Sequence, residues 1–279
     1  MKRKIIASLI VVFLIVALVT PTVLFQCKGD GPKGDTTTYA PLVPPPPLLA
    51  YSVMNTFPHD TSFYTQGFTF YKGELYEGTG DPTRMGRSRL MKVDLKTGKA
   101  SDSISLPKEF FGEGITILRD TVYQLTWQEH KVFVYTLKNF RKVKTYNFPT
   151  EGWGITNDGK SLIVSIGNGV LNYYDPSTFT LLSKISVTEG SSDAYNLNEL
   201  EYIDGYIYAN QYTTPYILKI DPGTGKVVGK YDLSAVANKI KDMKPDADVL
   251  NGIAYDETTK KVYITGKYWP EAYEIKLGQ

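Results

Sequence analysis

From about residue 50 to the end of the chain, short apolar runs with alternating polar positions recur in the same order five times. Each unit opens on a polar or aromatic residue, then Gly or Glu, then an apolar residue: Gln66-Gly67-Phe68, Glu113-Gly114-Ile115, Trp153-Gly154-Ile155, Asn198-Glu199-Leu200 and Asn251-Gly252-Ile253. Successive openings lie 40 to 53 residues apart. Units of roughly that length built from short strands are the mark of β-propeller blades. A second strand follows each opening: Leu75-Tyr76-Glu77-Gly78-Thr79, Val122-Tyr123-Gln124-Leu125-Thr126, Leu162-Ile163-Val164-Ser165-Ile166, Tyr206-Ile207-Tyr208-Ala209-Asn210 and Val262-Tyr263-Ile264-Thr265-Gly266. Their β-branched and aromatic content suits a pleated, half-buried sheet. Turn-formers such as Lys96-Thr97-Gly98-Lys99, Asp175-Pro176-Ser177 and Asp221-Pro222-Gly223-Thr224-Gly225 mark off third and fourth strands. The pattern predicts an all-β, five-bladed propeller.

The last unit runs out after residues 271–277, whereas residues 51–57 precede the first unit as one unpaired strand. Pairing the two closes the ring and hides an exposed edge. A helical period is confined to residues 233–243 and is expected to decorate a loop. The predicted propeller, residues 50–279, is long enough for a real core.

The N-terminus changes the picture at a different level. Met1-Lys2-Arg3-Lys4 followed by an apolar run over residues 5–25 has the layout of an export signal. The run also reaches the roughly 20 apolar residues that a bilayer span needs, so residues 1–26 read as a cleaved signal or a retained anchor. Cys27 directly after it adds a third option, a lipoprotein. All three export the domain to the periplasm, cell exterior or membrane surface, with the N-terminal segment as its one link to a membrane. Residues 27–49, with a Gly-rich start and Pro44-Pro45-Pro46-Pro47, read as a flexible, then extended tether.

Charge is nearly balanced, at 31 basic against 29 acidic residues, so neither nucleic acid nor an anionic surface is indicated as a partner. With Cys27 alone the chain has no internal disulfide and no thiolate zinc site. His59 and His130, the two histidines, leave little material for a His-rich metal site or a Ser-His-Asp relay; both read as structural surface residues.

In a propeller the innermost strands flank the central channel, so equivalent positions form a ring around its axis. At the opening position that ring holds Gln66, Glu113, Trp153, Asn198 and Asn251. The antiparallel second strand returns to the same mouth; four residues past its shared Tyr or Val stand Gly80, Trp127, Asn168, Tyr212 and Lys267. Together they supply an aromatic wall (Trp127, Trp153, Tyr212), amides (Gln66, Asn198, Asn251), one carboxylate and one cation, the inventory of a small-ligand pocket. Among aromatics Glu113 is expected to have a raised pKa, suited to carrying a proton near neutral pH, with Lys267 opposing the shift. The glycine after the opening residue reads as relief of crowding near the axis.

Residues 51–279 resemble the plant-type glutaminyl-peptide cyclotransferases, a family also found in bacteria. The resemblance rests on Tyr64-Thr65-Gln66-Gly67, Phe111-Gly112-Glu113-Gly114-Ile115-Thr116, Leu125-Thr126-Trp127, Glu151-Gly152-Trp153-Gly154, Leu197-Asn198-Glu199-Leu200-Glu201-Tyr202, Leu250-Asn251-Gly252-Ile253-Ala254 and Thr265-Gly266-Lys267. It implies a five-bladed propeller that converts the N-terminal glutamine of peptides or proteins to pyroglutamate with loss of ammonia, without metal or cofactor and as a monomer. On this resemblance Glu113 is the proton shuttle, Lys267 and Asn198 stabilise charge on the carboxamide oxygen, and Gln66, Tyr64, Phe111, Trp127, Trp153, Tyr212 and Asn251 bind substrate. The family usually has Phe at the position of Tyr64 and Trp at that of Tyr212. Two other readings remain open on residues alone: a calcium-dependent hydrolase with Glu113, Asn198 and Asn251 on the metal, and a non-catalytic propeller that binds peptides or sugars.

Overall fold

The computed structural model describes residues 43–278. The expected export signal or anchor, Cys27 and most of the tether lie outside the described residues. Strand β1 (Tyr51–Pro58) comes first, followed by β2 (Tyr64–Tyr71), β3 (Glu74–Gly80), β4 (Arg89–Asp94) and β5 (Lys99–Ser105) as the first four-stranded blade. The second blade is β6 (Gly112–Leu118), β7 (Thr121–Thr126), β8 (Lys131–Thr136) and β9 (Lys142–Asn147). The third is β10 (Ile155–Asn157), β11 (Leu162–Ser165), β12 (Val170–Tyr174) and β13 (Leu181–Ser186). A two-stranded ribbon, β14 (Thr188–Glu189) and β15 (Ser192–Asp193), leads into the fourth blade: β16 (Leu197–Ile203), β17 (Tyr206–Gln211), β18 (Tyr216–Ile220) and β19 (Val227–Asp232). Helix α1 (Ser234–Met243) then connects to β20 (Leu250–Asp256), β21 (Lys261–Gly266) and β22 (Glu271–Leu277).

The fifth sheet has the order β1-β22-β21-β20, so its outermost strand comes from the start of the domain. The pairing runs antiparallel from Tyr51 opposite Leu277 to Pro58 opposite Glu271. The inner strands β2, β6, β10, β16 and β20 neighbour one another in sequence around the ring, and β20 lies against β2. Buried apolar side chains form five clusters, one between each pair of neighbouring blades; Leu90 and Ile115, for example, join the first to the second, and Tyr208 and Ile253 the fourth to the fifth. The outer strands β5, β9 and β13 are mostly exposed, with Lys, Ser, Thr and Asp along them, a composition that discourages edge pairing.

Residues 43–49, which composition assigns to the tether, pack against the fourth blade instead. The Val43 N–H donates to Ser191 Oγ (2.8 Å), Leu48 bridges Lys230 in parallel, and Lys230 exchanges hydrogen bonds with Pro47 O (3.0 Å) and the Leu49 N–H (2.8 Å). Prolines cannot donate, but an extended polyproline segment presents free carbonyls that a strand edge can use. The edge of β19 is thereby covered.

Inner strands carry the feature that shapes the channel. Thr65 pairs with Thr79 and Gly67 with Gly78, which leaves Gln66 unpaired. In the second blade Glu113 and Gly114 stand against Leu125 alone; the same two-against-one arrangement holds at Asn198-Glu199 in the fourth blade and Asn251-Gly252 in the fifth. These are β-bulges, which re-aim side chains. The repeated polar residue plus glycine is thus the sequence of a bulge. Crowding by the next blade explains the glycine: a Cβ on Gly154 would lie 2.0 Å from Asn198 O. Glu199 stands at the glycine position of the fourth unit and crosses to the adjoining strands, where its carboxylate accepts the N–H groups of Phe68 (3.1 Å) and Ile253 (2.9 Å).

His59 departs from the sequence reading. It is structural but buried, not on the surface, because the chain turns inward after β1 to enter the first blade. Its Nδ1 lies 2.8 Å from Trp269 O and its Nε2 3.2 Å from the Glu77 carboxylate. Both partners are acceptors, so the doubly protonated imidazolium satisfies both. Burial, the largest single influence, opposes that charge, but Glu77, the Trp269 carbonyl and Asp60 together outweigh it and the His59 pKa is raised. A folded-state pKa above the unfolded value of about 6.5 means that this stabilisation is complete below that pH and is lost as pH rises through the folded pKa. Denaturant titrations across this range should show stability falling with rising pH, and His59→Gln should flatten that slope.

Candidate active site

Eleven residues surround a cavity of 290 Å³ at one mouth of the channel. Its floor is made by Gln66, Glu113, Asn198 and Lys267, all buried. Its walls are the half-buried Tyr64, Trp127, Trp153 and Tyr212 with the buried Phe111. The exposed Pro82 and Arg84 complete the lining. A larger groove of 670 Å³ between the fourth and fifth blades is lined by scattered lysines and has no buried floor of this kind.

Nine of the ten site residues expected from the sequence are brought together here. Asn251 is the exception: it stands behind Gln66, donating from Nδ2 to Thr65 O (2.9 Å) and Gln66 Oε1 (3.1 Å). Gln66 in turn donates to Glu113 Oε1 (3.1 Å). Asn251 therefore orients a binding residue through the bulge of the next blade and is not among the residues that line the cavity. Among the described residues no three His, Cys, Asp or Glu side chains cluster as a metal-ligand set. Two second-strand positions have other uses. A Cβ on Gly80 would fall 2.2 Å from the Phe111 ring, so the glycine makes room for that wall; Asn168 caps the Val170 N–H (2.9 Å).

Burial drives the Glu113 pKa well above the ordinary carboxylate value; the Lys267 cation opposes this, and Glu129 and Glu151 add to it. Burial lowers the Lys267 pKa, against the pull of Glu113 and Asp248. Among the described residues no hydrogen-bond acceptor engages the Lys267 ammonium. It lies 4.7 Å from the ring centroid of Tyr64 and 4.7 Å from that of Tyr212, a cation–π sandwich that leaves its N–H groups for a ligand. Asn198 is equally unengaged: its Oδ1 is closed off from solvent with no donor. A buried acceptor left in this state costs about 1–3 kcal/mol.

Three further residues were not singled out in the sequence. Glu151 accepts both indole N–H groups, from Trp127 (2.9 Å) and Trp153 (3.3 Å), at Oε2 and Gln128 at Oε1 (3.0 Å). One carboxylate thus fixes two walls, and its place two residues before Trp153 is the signal that could have found it. Arg84 lies on the loop of residues 81–88, and Glu129 pairs with it. That β3–β4 loop has eight residues, whereas the equivalent loops, 127–130, 166–169, 212–215 and 267–270, have four each. Insertions in a repeat tend to gather on its binding face, so loop length was a legible signal.

Replacing Glu151 with Ala should leave two indole N–H groups without their acceptor. We expect a stability loss of about 1–3 kcal/mol and a red shift in tryptophan emission as Trp127 and Trp153 loosen toward solvent. An unchanged spectrum would show that packing alone holds the walls.

Comparison with known proteins agrees with this geometry. The sequence profile described as "Glutamine cyclotransferase" matches residues 31–277. A glutaminyl-peptide cyclotransferase of Arabidopsis thaliana is 37% identical over 230 residues, covering 81% of this chain and 71% of the plant protein. The crystal structure of Myxococcus xanthus glutaminyl cyclase superposes with a TM-score of 0.78 at 31% identity, covering 84% of this chain and 98% of the bacterial one. With a profile spanning nearly the whole propeller and a relative of this identity, the chain belongs to the glutamine cyclotransferase family.

Proposed function

We propose that the protein is a metal-independent glutaminyl-peptide cyclotransferase that closes the N-terminal glutamine of a peptide to pyroglutamate and releases ammonia. The observation that carries this reading is the pairing of one buried carboxylate, its pKa raised by burial, with one unengaged buried ammonium on the floor of a cavity sized for a single residue. At 290 Å³ the cavity is at the small end of ligand pockets, roughly 300–1,000 Å³. It accommodates a glutaminyl side chain and α-amine, with the rest of the peptide outside.

The reaction needs the α-nitrogen to attack the γ-carboxamide carbon within one residue. Walls that hold the side chain folded supply much of the rate by proximity. Glu113 takes a proton from the attacking nitrogen as the C–N bond forms, then delivers it to the departing amide nitrogen, which leaves as ammonia. Lys267 and the Asn198 amide group stabilise the negative charge that develops on the carboxamide oxygen. Gln66, held by Asn251, orients Glu113, and Trp127 and Trp153 keep water from the reacting centre. We further propose that the enzyme acts as a monomer outside the cytoplasm, carried there by the N-terminal segment; cell fractionation tests this.

Mass spectrometry of a Gln-initiated peptide incubated with the protein and a chelator should show loss of ammonia above the enzyme-free rate. Glu113→Gln should bind the peptide yet lose about 10²–10⁴-fold in kcat. Because Glu113 must be ionised to act as base, kcat should rise with pH through a value well above the ordinary carboxylate pKa of about 4.3. Lys267→Gln removes the cation that lowers that pKa, so the residual activity should have its rise displaced to higher pH. A rise that stays in place would remove Lys267 from the electrostatics of the base.

A further inference from the structure

We infer that Arg84 forms a subsite for the residue that follows the N-terminal glutamine, and that it favours an acidic side chain there; this rests on the cyclotransferase reading. Depth in the cavity fixes the direction of the peptide. Its reacting residue must reach the buried floor of Glu113 and Lys267, so the chain beyond it leaves past the exposed rim, where Pro82 and Arg84 stand. Arg84 is on the one extended β3–β4 loop, which projects from the first blade on the mouth side.

That loop is held in place. The buried Asp81 accepts the N–H groups of Thr83 (3.0 Å), Met85 (2.7 Å) and Arg87 (2.9 Å), and its carbonyl accepts that of Arg84 (3.0 Å). Arg84 adopts a left-handed backbone, φ 55°, a conformation that a non-glycine residue adopts at a cost of about 1–3 kcal/mol and that concentrates at ligand-contacting sites. The result lays its guanidinium over the cavity wall, 5.3 Å from the Phe111 ring centroid and 5.7 Å from that of Trp127.

The guanidinium is only partly used. Its Nη1 contacts Glu129 Oε1, while Glu129 Oε2 accepts the Phe111 N–H (3.1 Å); Glu129 is thereby a brace committed on both oxygens. Among the described residues nothing accepts from Arg84 Nε or Nη2. An arginine has five N–H donors in a planar fork that suits a carboxylate in two-point contact. The second rim carboxylate, Glu151, is likewise committed, to the two indoles and Gln128. Arg84 therefore carries unpaired N–H donors at the rim beside the charged Glu151, and its fork fits an Asp or Glu side chain of the substrate.

The test compares kcat/KM for three peptides, Gln-Glu-Ala, Gln-Ala-Ala and Gln-Lys-Ala amides, with the full-length protein and with Arg84→Gln and Arg84→Glu. An ion pair at a partly exposed rim gives up to about a five-fold preference at low ionic strength, which added salt should shrink. We expect wild type to rank Glu above Lys by that factor, Arg84→Gln to lose the ranking, and Arg84→Glu to invert it. Loss of the wall would lower all three peptides together and leave their ratios unchanged, so the ratio separates recognition from damage. Ratios in Arg84→Gln and Arg84→Glu equal to those of wild type, or a wild-type preference for Lys, would overturn the inference while the cyclotransferase reading stands. Failure of wild type to turn over any of the three peptides would remove that reading and the subsite with it.

Discussion

The bulge at the top of the inner strand is the constraint on which the site depends. A regular strand gives alternate side chains to opposite faces of its sheet, toward the neighbouring blades. Inserting one residue breaks that alternation and sends Gln66, Glu113, Asn198 and Asn251 toward the axis, where four blades with no other chemistry in common can act on one small volume. The glycine beside the bulge lets the next inner strand pass close enough for the blades to interlock. The third blade solves the problem differently, placing Trp153 ahead of its short inner strand, with its N–H donated to Ser165 O at 3.2 Å.

Interlocking near the axis makes the site a property of the closed ring. Asn251 of the fifth blade holds Gln66 of the first, and Gln66 holds Glu113 of the second. Glu199 ties the fourth blade to the first and fifth. A chain of polar contacts of this kind is strong only when its members are satisfied. Asn251 Oδ1 and Asn198 Oδ1 are left without donors, and the Lys267 ammonium on the floor is the unengaged group that a substrate would meet.

Burial sets the electrostatics of that floor. It pushes Glu113 and Lys267 toward their neutral forms, while each opposes the shift in the other. The two tyrosine rings around Lys267 are a compromise between these tendencies: their π faces favour a cation without supplying the acceptor that would occupy it. This gives the hydroxyl-bearing Tyr64 and Tyr212 a role that depends on their rings.

The fold was legible from the sequence because a repeat reports its own architecture: five openings, five second strands, a leftover strand at the start and a missing one at the end constrain strand order before any distance is known. The ring of opening residues was legible for the same reason, since equivalent positions in equivalent blades must meet. Residues that break the repeat do not follow from its register. Arg84 sits on a loop of unique length, Glu151 acts across two turns through hydrogen bonds, and His59 follows the outer strand β1 as the buried Leu106, Phe148, Val187 and Leu233 follow the others, a polar residue at an apolar position. Asn251 shares its register with the other openings, yet one hydrogen bond to Gln66 turns it from a wall into a support. Sequence period determined which residues approach the axis; tertiary structure decided which of them face the cavity, because that depends on side-chain partners contributed by neighbouring blades.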